Sequence, residues 1–166
     1  MAQGKRRAMP SHEELRIWRN YIETTETLRS LLEGRLQSES SLSSADYRVL
    51  LALSEADRRT LRSSELAERI GWQRSRLSHH LGRMDKRGLV HRAPCPDDVH
   101  GVDVLLTDLG AESFRNGSVP HLRDVRELFV DALSAEQLAR VDEFTMALRR
   151  HLDRLEKPPP NRGPQP

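Results

Sequence analysis

The chain has 166 residues, 36% of them hydrophobic and 31% charged, with a formal net charge of only +2. That length allows one medium domain or two small lobes, and the modest apolar share favours amphipathic helices with wet faces over one large core. A uniformly basic chain is excluded, so any nucleic-acid contact has to come from local clustering of charge. An apolar run of about 18 residues is missing, which excludes a membrane-spanning helix. A lone cysteine excludes an internal disulfide and suits a reducing, cytoplasmic setting.

In chain order, residues 1–11 read as a flexible basic arm through Lys5, Arg6 and Arg7, with no apolar stretch behind it to make a signal peptide. A long helix is expected over His12–Gln37. Its seam is Leu15, Trp18, Ile22, Thr25, Leu32 and Leu36, interrupted at Arg29 with Leu28 beside it. Such a seam fits either a core helix within one subunit or a dimer contact. The second is preferred, because the remaining chain is too small to cover so long a stripe. A second helix should start at Ser43, with Asp46 completing a capping box and Leu42 stapling to Tyr47; Val49, Leu50 and Leu53 form its core face. Asp57-Arg58-Arg59 reads as a polar loop.

Leu61–Leu106 carries the densest pattern. Ser64 is expected to cap a helix bearing Leu66, Ala67 and Ile70, and Gly71 to end it in the left-handed conformation. Trp72 reads as a packing residue under the next helix. That helix should run from about Gln73 to Arg87 and stop at Gly88. Its apolar face is Leu77, Leu81 and Met84, with His80 leaning towards it; its outer face is Ser75, His79 and Lys86, flanked by Arg76, Ser78 and Arg83. Together with Arg69, Arg74, Arg87 and Arg92, this is the local clustering of charge that the net charge conceals. A narrow apolar stripe opposite a basic, hydroxyl- and imidazole-bearing face suits the major groove. Leu89–Arg92 and Val102–Leu106 read as two strands around a loop at Ala93–Gly101, completing a winged helix-turn-helix.

From Thr107 a helix should run towards Leu133, kinked or broken by Pro120 near 116–118. Leu122, Val125, Leu128, Phe129 and Leu133 resume its pattern. Ser134 and Gln137 form a capping box for a last helix with Leu138, Val141, Leu148, Leu152 and Leu155. The expected organisation is therefore mainly α (α+β). A winged helix-turn-helix at 41–106 lies between helical dimerisation segments at 12–40 and 107–157, and a proline-rich tail at 158–166 is expected to be disordered.

No phosphate-binding glycine loop, nucleophile elbow or HExxH motif is present, so an enzyme is not expected. Cys95, Asp97, Asp98 and His100 mix soft and hard ligands, but Pro94 and Pro96 constrain the loop and no matching pair follows; neither a metal nor another cofactor is expected. Cys95 reads either as a passive surface cysteine or as an exposed redox sensor whose thiol His91 or Arg92 would activate.

From about Leu42 to Leu155 the chain resembles the MarR (multiple-antibiotic-resistance regulator) family of transcription regulators. The resemblance rests on SSELAERIG, LSHHLGRMDKRGLVHR, the Asp-rich wing, and Leu106-Thr107-Asp108-Leu109-Gly110, which is similar to the family's L-T-x-x-G. The chain departs from the family in the wing: where D-x-R is usual, it has Asp98-Val99-His100. The resemblance implies a homodimer that represses by occupying a palindromic operator on double-stranded DNA. It also implies release by a ligand or by oxidation, and a pocket for a small aromatic effector, for which Trp18, Tyr21 and Tyr47 are the candidates. Peroxide-sensing members have a cysteine in the first helix, which this chain lacks. Ser75, Arg76 and His79 are the expected base readers, with Gln73 and Arg74 at the helix N-terminus. Ser78 and Arg83 are expected on the backbone, and Arg92 and His100 on the wing. The alternative is a winged helix used purely for protein contact, against which the Lys and Arg on the outer helix face speak.

Overall fold

The computed structural model describes residues 9–95 and 98–156, without the side chains of Val99, His100 and Glu156. The expected basic arm before Met9, Asp97 of the expected loop and the expected tail lie outside the described residues. The elements are α1 (His12–Ser40), α2 (Ser44–Ser54), a 3₁₀ turn at Asp57–Arg59, β1 (Thr60–Arg62), α3 (Ser63–Ile70), α4 (Arg74–Lys86), β2 (Val90–Cys95), β3 (Asp98–Leu106), α5 (Asp108–Val125), a π-helical turn at Arg126–Val130, and α6 (Ala135–Glu156). They fall into two compact units, residues 1–124 and 125–166. No described helix is long and apolar enough to cross a membrane.

Local chemistry explains most boundaries. Ser11 and Glu14 cap α1 reciprocally, and Ser43 and Asp46 do the same for α2. The first of these boxes was not foreseen, and α1 outlasts its expected end by three residues, to Ser40. The α3 helix begins two residues earlier than expected: Arg62 occupies the cap position without a side-chain bond, and Ser64 lies inside the first turn. Gly71 ends α3 at φ 68°, as a left-handed C-cap requires.

Three antiparallel strands form a sheet in the order β1-β3-β2. The three-residue β1 is not among the expected elements; it pairs Leu61 with Val104 and so buries Leu61. The wing also differs from expectation. Its strands reach to Cys95 and from Asp98, replacing most of the anticipated loop. Pro94 is tolerated because β2 is an edge strand, and the register shifts beside it. This turns Cys95 inward to 7% exposure, so it is neither a surface cysteine nor an accessible thiol.

The core gathers Leu36, Leu42, Val49, Leu50, Leu53, Leu66, Leu77, Leu81, Met84, Val90 and Val104, with Trp72 and Tyr47 half-buried against it. The Leu106–Gly110 segment locks the sheet to α5. Thr107 accepts from the Gly110 N–H and directs its own hydroxyl at the carbonyls of Gly88 and Leu89. A Cβ on Gly110 would run into the Leu89 carbonyl oxygen, so only glycine permits this approach.

Helix α5 passes through Pro120 without the break expected near 116–118. The segment is held from outside: Arg35 Nη1 reaches Asp124 Oδ1 at 2.7 Å, and Gly117 packs so closely on Ser40 that a Cβ would crowd it. In the second unit Ser134 and Gln137 form the anticipated capping box, and Arg140 pairs with Glu136.

Candidate nucleic-acid interface

Helix α4 turns Leu77, His80, Leu81 and Met84 into the core. The spacing that buries these four leaves Arg74, Ser75, Ser78, His79, Arg83 and Lys86 exposed on the opposite side, around a shallow depression of about 420 Å³ at Ser78, His79, Gly82, Arg83 and Lys86. Gln73 caps the helix by position alone, with no side-chain hydrogen bond. The first turns of the other five α-helices each carry an acid; that of α4 carries none, and holds Arg74 and Arg76 instead. Cations at a helix N-terminus oppose the macrodipole, so α4 concedes a little stability there and leaves its free N–H groups open to an anion.

Not every expected reader points the same way. The Arg76 guanidinium lies 4.4 Å over the Trp72 ring, and Arg83 donates to His80 Nδ1 at 2.9 Å. Arg92 is half-buried in β2, its Nε buried and without a hydrogen-bond partner. Residue 100 lies on β3, but its side chain is outside the described residues. Among the described residues no group of three or more His, Cys, Asp or Glu side chains could hold a metal.

Behind α4 lies a polar contact the sequence did not announce. Asp46, 2% exposed, receives Arg87 Nη1 at 2.8 Å and the Ser43 N–H at 3.0 Å on one carboxylate oxygen. Its other oxygen stands 3.1 Å from His80 Nε2, within ion-pair reach but off the hydrogen-bonding line. Burial pushes the carboxyl's pKa up, but His80, Arg87 and Ser43 together outweigh it and hold Asp46 well below the usual carboxylate range.

The expected aromatic trio is not assembled. Tyr47 lines a cleft of about 380 Å³ with Leu28, Leu32, Trp72, Arg76 and His121, its ring 4.6 Å from His121 and 5.2 Å from Phe114. Neither Trp18 nor Tyr21 lines this cleft. Trp18 lies about 15 Å from Leu28 along α1 at a rise of ~1.5 Å per residue, 60% exposed beside Met9 and Leu15. Trp72, read from sequence as a packing residue only, takes the place of the distant pair.

Comparison with known proteins agrees with this geometry. The sequence profile of the MarR family matches residues 40–98. No curated protein sequence matches the chain significantly. AbsC, a MarR family transcriptional regulator from Streptomyces coelicolor, is 34% identical; the match covers 88% of this chain and 98% of that one, with a TM-score of 0.82. Sco3205, a MarR family transcriptional regulator from the same organism solved in complex with DNA, is also 34% identical, covering 95% and 96% with a TM-score of 0.84. A variant of MarR from E. coli complexed with operator DNA shares the fold at 23% identity, covering 85% and 99% with a TM-score of 0.73. With a third of its residues shared over almost the whole length of two such regulators, which are not enzymes, the chain belongs to the MarR family of transcriptional regulators.

Proposed function

We propose that this DNA-binding regulator is a sequence-specific repressor, a homodimer that occupies a palindromic operator with α4 of each subunit in the major groove. The observation that carries the reading is the outer face of α4, which is basic, exposed and free of an acid in its first turn. The DNA complex of a relative at 34% identity supports it. Ser75 and His79 read base edges; Gln73 and Arg74 meet phosphate or bases at the helix N-terminus; Ser78, Arg83 and Lys86 position the backbone; Arg92 and His100 serve the wing. Arg76 reaches a base only by leaving the Trp72 ring.

The dimerisation region comprises residues 12–40 and 107–157; Ile17, Trp18, Leu122, Phe144, Met146 and Leu155 stand exposed in it in the single chain. Release is by a small aromatic, anionic effector in the Tyr47–Trp72 cleft, where Arg76 and His121 supply cationic and polar partners. A ligand that competes for Trp72 or Arg76 changes the start of α4 and shifts the population away from the DNA-binding geometry. Oxidation is the weaker release route, because Cys95 is buried.

The test is the salt dependence of duplex binding. If two winged helices neutralise roughly six to ten phosphates, log affinity falls against log salt with a slope of about −5 to −9. The selected duplex should show half-sites centred about 10 base pairs apart or a multiple of that. Salt-independent binding would point to a protein partner instead.

A further inference from the structure

Inside α4 the chain buries a histidine where a leucine would fill the core. His80 sits among Leu77, Leu81 and Met84 at 7% exposure. A polar group in that position costs desolvation unless its partners are in place. Its partners lie on two different helices: Asp46 on α2 approaches Nε2 at 3.1 Å, and Arg83 on α4 approaches Nδ1 at 2.9 Å. Trp72 closes the ring's edge, its centroid 5.5 Å away at an interplanar angle of 83°.

The chemistry of these partners fixes the tautomer. A guanidinium has donors only, so Nδ1 has to offer a lone pair to Arg83. A neutral imidazole then carries its proton on Nε2, facing the Asp46 carboxylate. The opposite tautomer would set an N–H against the guanidinium and a lone pair against the carboxylate. Nε2 and Asp46 Oδ1 are both buried without a hydrogen-bond partner, and at 3.1 Å the electrostatic contact between them is what answers each. Asp46 is itself anchored by the α2 capping box and by Arg87, whose Nη2 also donates to the Ser41 carbonyl at 3.0 Å. Arg83 is the exposed member of the chain and lines the depression on the outer face of α4.

We propose that His80 is a positioning residue for the DNA-reading face. As the neutral Nε2–H tautomer it transmits the fixed position of Asp46 to Arg83, and its protonation releases Arg83. The proposal rests on reading the outer face of α4 as the DNA surface. The imidazolium has no lone pair, so acidification replaces the Arg83 bond with two facing cations. The charged groups around the ring are Asp46 from α2, Arg83 on its own helix, Arg87 at the helix end through Asp46, and Arg76 on the far side of Trp72. Only Arg83 is bonded through the lone pair, so the loss falls on that side chain. A pinned arginine holds the register on the DNA backbone that lets Ser75 and His79 discriminate between bases; a released one loses that register, and with it preference for the cognate sequence.

The experiment has two arms. In the free protein, nitrogen chemical shifts of the His80 ring at pH 8 should show a protonated Nε2 and a bare Nδ1. In the second arm, preference for a duplex selected from a random library over a scrambled duplex is measured at pH 8 and pH 6 for wild type, His80→Gln and His80→Leu. Glutamine keeps a donor and an acceptor but does not titrate; leucine keeps neither. Wild type should lose about five- to tenfold of its preference on acidification, the scale of one hydrogen bond's net contribution. His80→Gln should hold its preference at both pH values. His80→Leu should show the reduced preference already at pH 8. A protonated Nδ1 in wild type, which needs no variant to fold, overturns the relay; so do identical pH profiles in wild type and His80→Gln. Wild type that binds no duplex at either pH overturns the DNA reading instead, and the proposal with it.

Discussion

The winged helix and the flanking helices use the same apolar side chains in opposite ways. Between Leu36 and Ala111 most leucines and valines are sealed, Val49, Leu50, Leu53, Leu66, Leu77 and Leu81 to 0% exposure, while Leu51 and Leu109 stay open. In the first half of α1 and along α6 side chains of equal size lie open: Ile17 is 56% exposed, Phe144 47% and Met146 51%. Helix α6 has no buried residue at all among those described. Composition does not separate the regions; cover does. A core assembled from α2, α3, α4 and the sheet closes within one chain, whereas the first half of α1 and the described part of α6 keep large apolar side chains open. Each Å² of apolar surface left wet forgoes about 25 cal/mol, which is the ground for the two-fold dimer proposed above.

The largest expected effect is on the open side of this comparison. Removing residues after Leu133 deletes α6 and should convert a dimer of twice 19.0 kDa into monomers or insoluble protein, because the remaining stripes lose their cover. Light scattering reads the mass directly. A truncated chain that stays a soluble dimer would break the comparison, since the exposed seam of α6 would then be needed for nothing.

A smaller effect sharpens the closed side. Asp46 is the charged exception within the winged-helix core, and Asp46→Asn should destabilise the protein by about 2–3 kcal/mol at neutral pH by leaving Arg87 and His80 without their anion. The pH dependence has a definite sign. A carboxyl whose folded pKa is depressed contributes stability in full above its unfolded range, ~3.9, and loses it as the pH falls through the lower folded range. Wild type should therefore lead the variant throughout about pH 5–8 and converge on it in strong acid. Chemical denaturation at a series of pH values measures this; a constant gap down to about pH 2 would mean that Asp46 acts by shape and not by charge.

Local signals were legible and long-range ones were not. The Ser43–Asp46 and Ser134–Gln137 boxes, the Gly71 cap and the buried and outer faces of α4 could be read because each depends on residues within one or two turns. The strand β1 escaped because three residues carry no periodicity; its pairing with β3 is decided some forty residues away. The unbroken passage through Pro120 escaped because the holding contacts, Arg35 with Asp124 and Ser40 with Gly117, come from α1. Cys95 looked exposed between two prolines, and only the edge position of β2 turns it inward. Trp18 and Tyr21 were grouped with Tyr47 by chemistry alone, although the rise of a helix already sets Trp18 a long way from the cleft. His80 was legible as half-buried, but its partner on α2 was not.

The smallest expected effect joins stability to function on α4 itself. Gly82 lies in the middle of the helix, on the outer face, with nothing within 4 Å of where a Cβ would stand and no positive φ to demand glycine. By helix propensity alone alanine is better there by about 0.8–1.0 kcal/mol, so Gly82→Ala should raise the melting temperature by roughly 2–4 °C. The chain forgoes that gain at one corner of the depression shared with Ser78, His79, Arg83 and Lys86. If this face meets the duplex, the missing methyl is what lets the helix backbone approach, and alanine should weaken operator binding by roughly tenfold, about 1.4 kcal/mol. Most substitutions lower stability and binding together; this one should move them in opposite directions, which unfolding alone cannot imitate. Thermal unfolding and duplex affinity on the same preparation suffice. A variant that is more stable and binds as tightly as wild type would place the closest approach of DNA elsewhere on α4, towards Arg74 and Ser75 at its N-terminus.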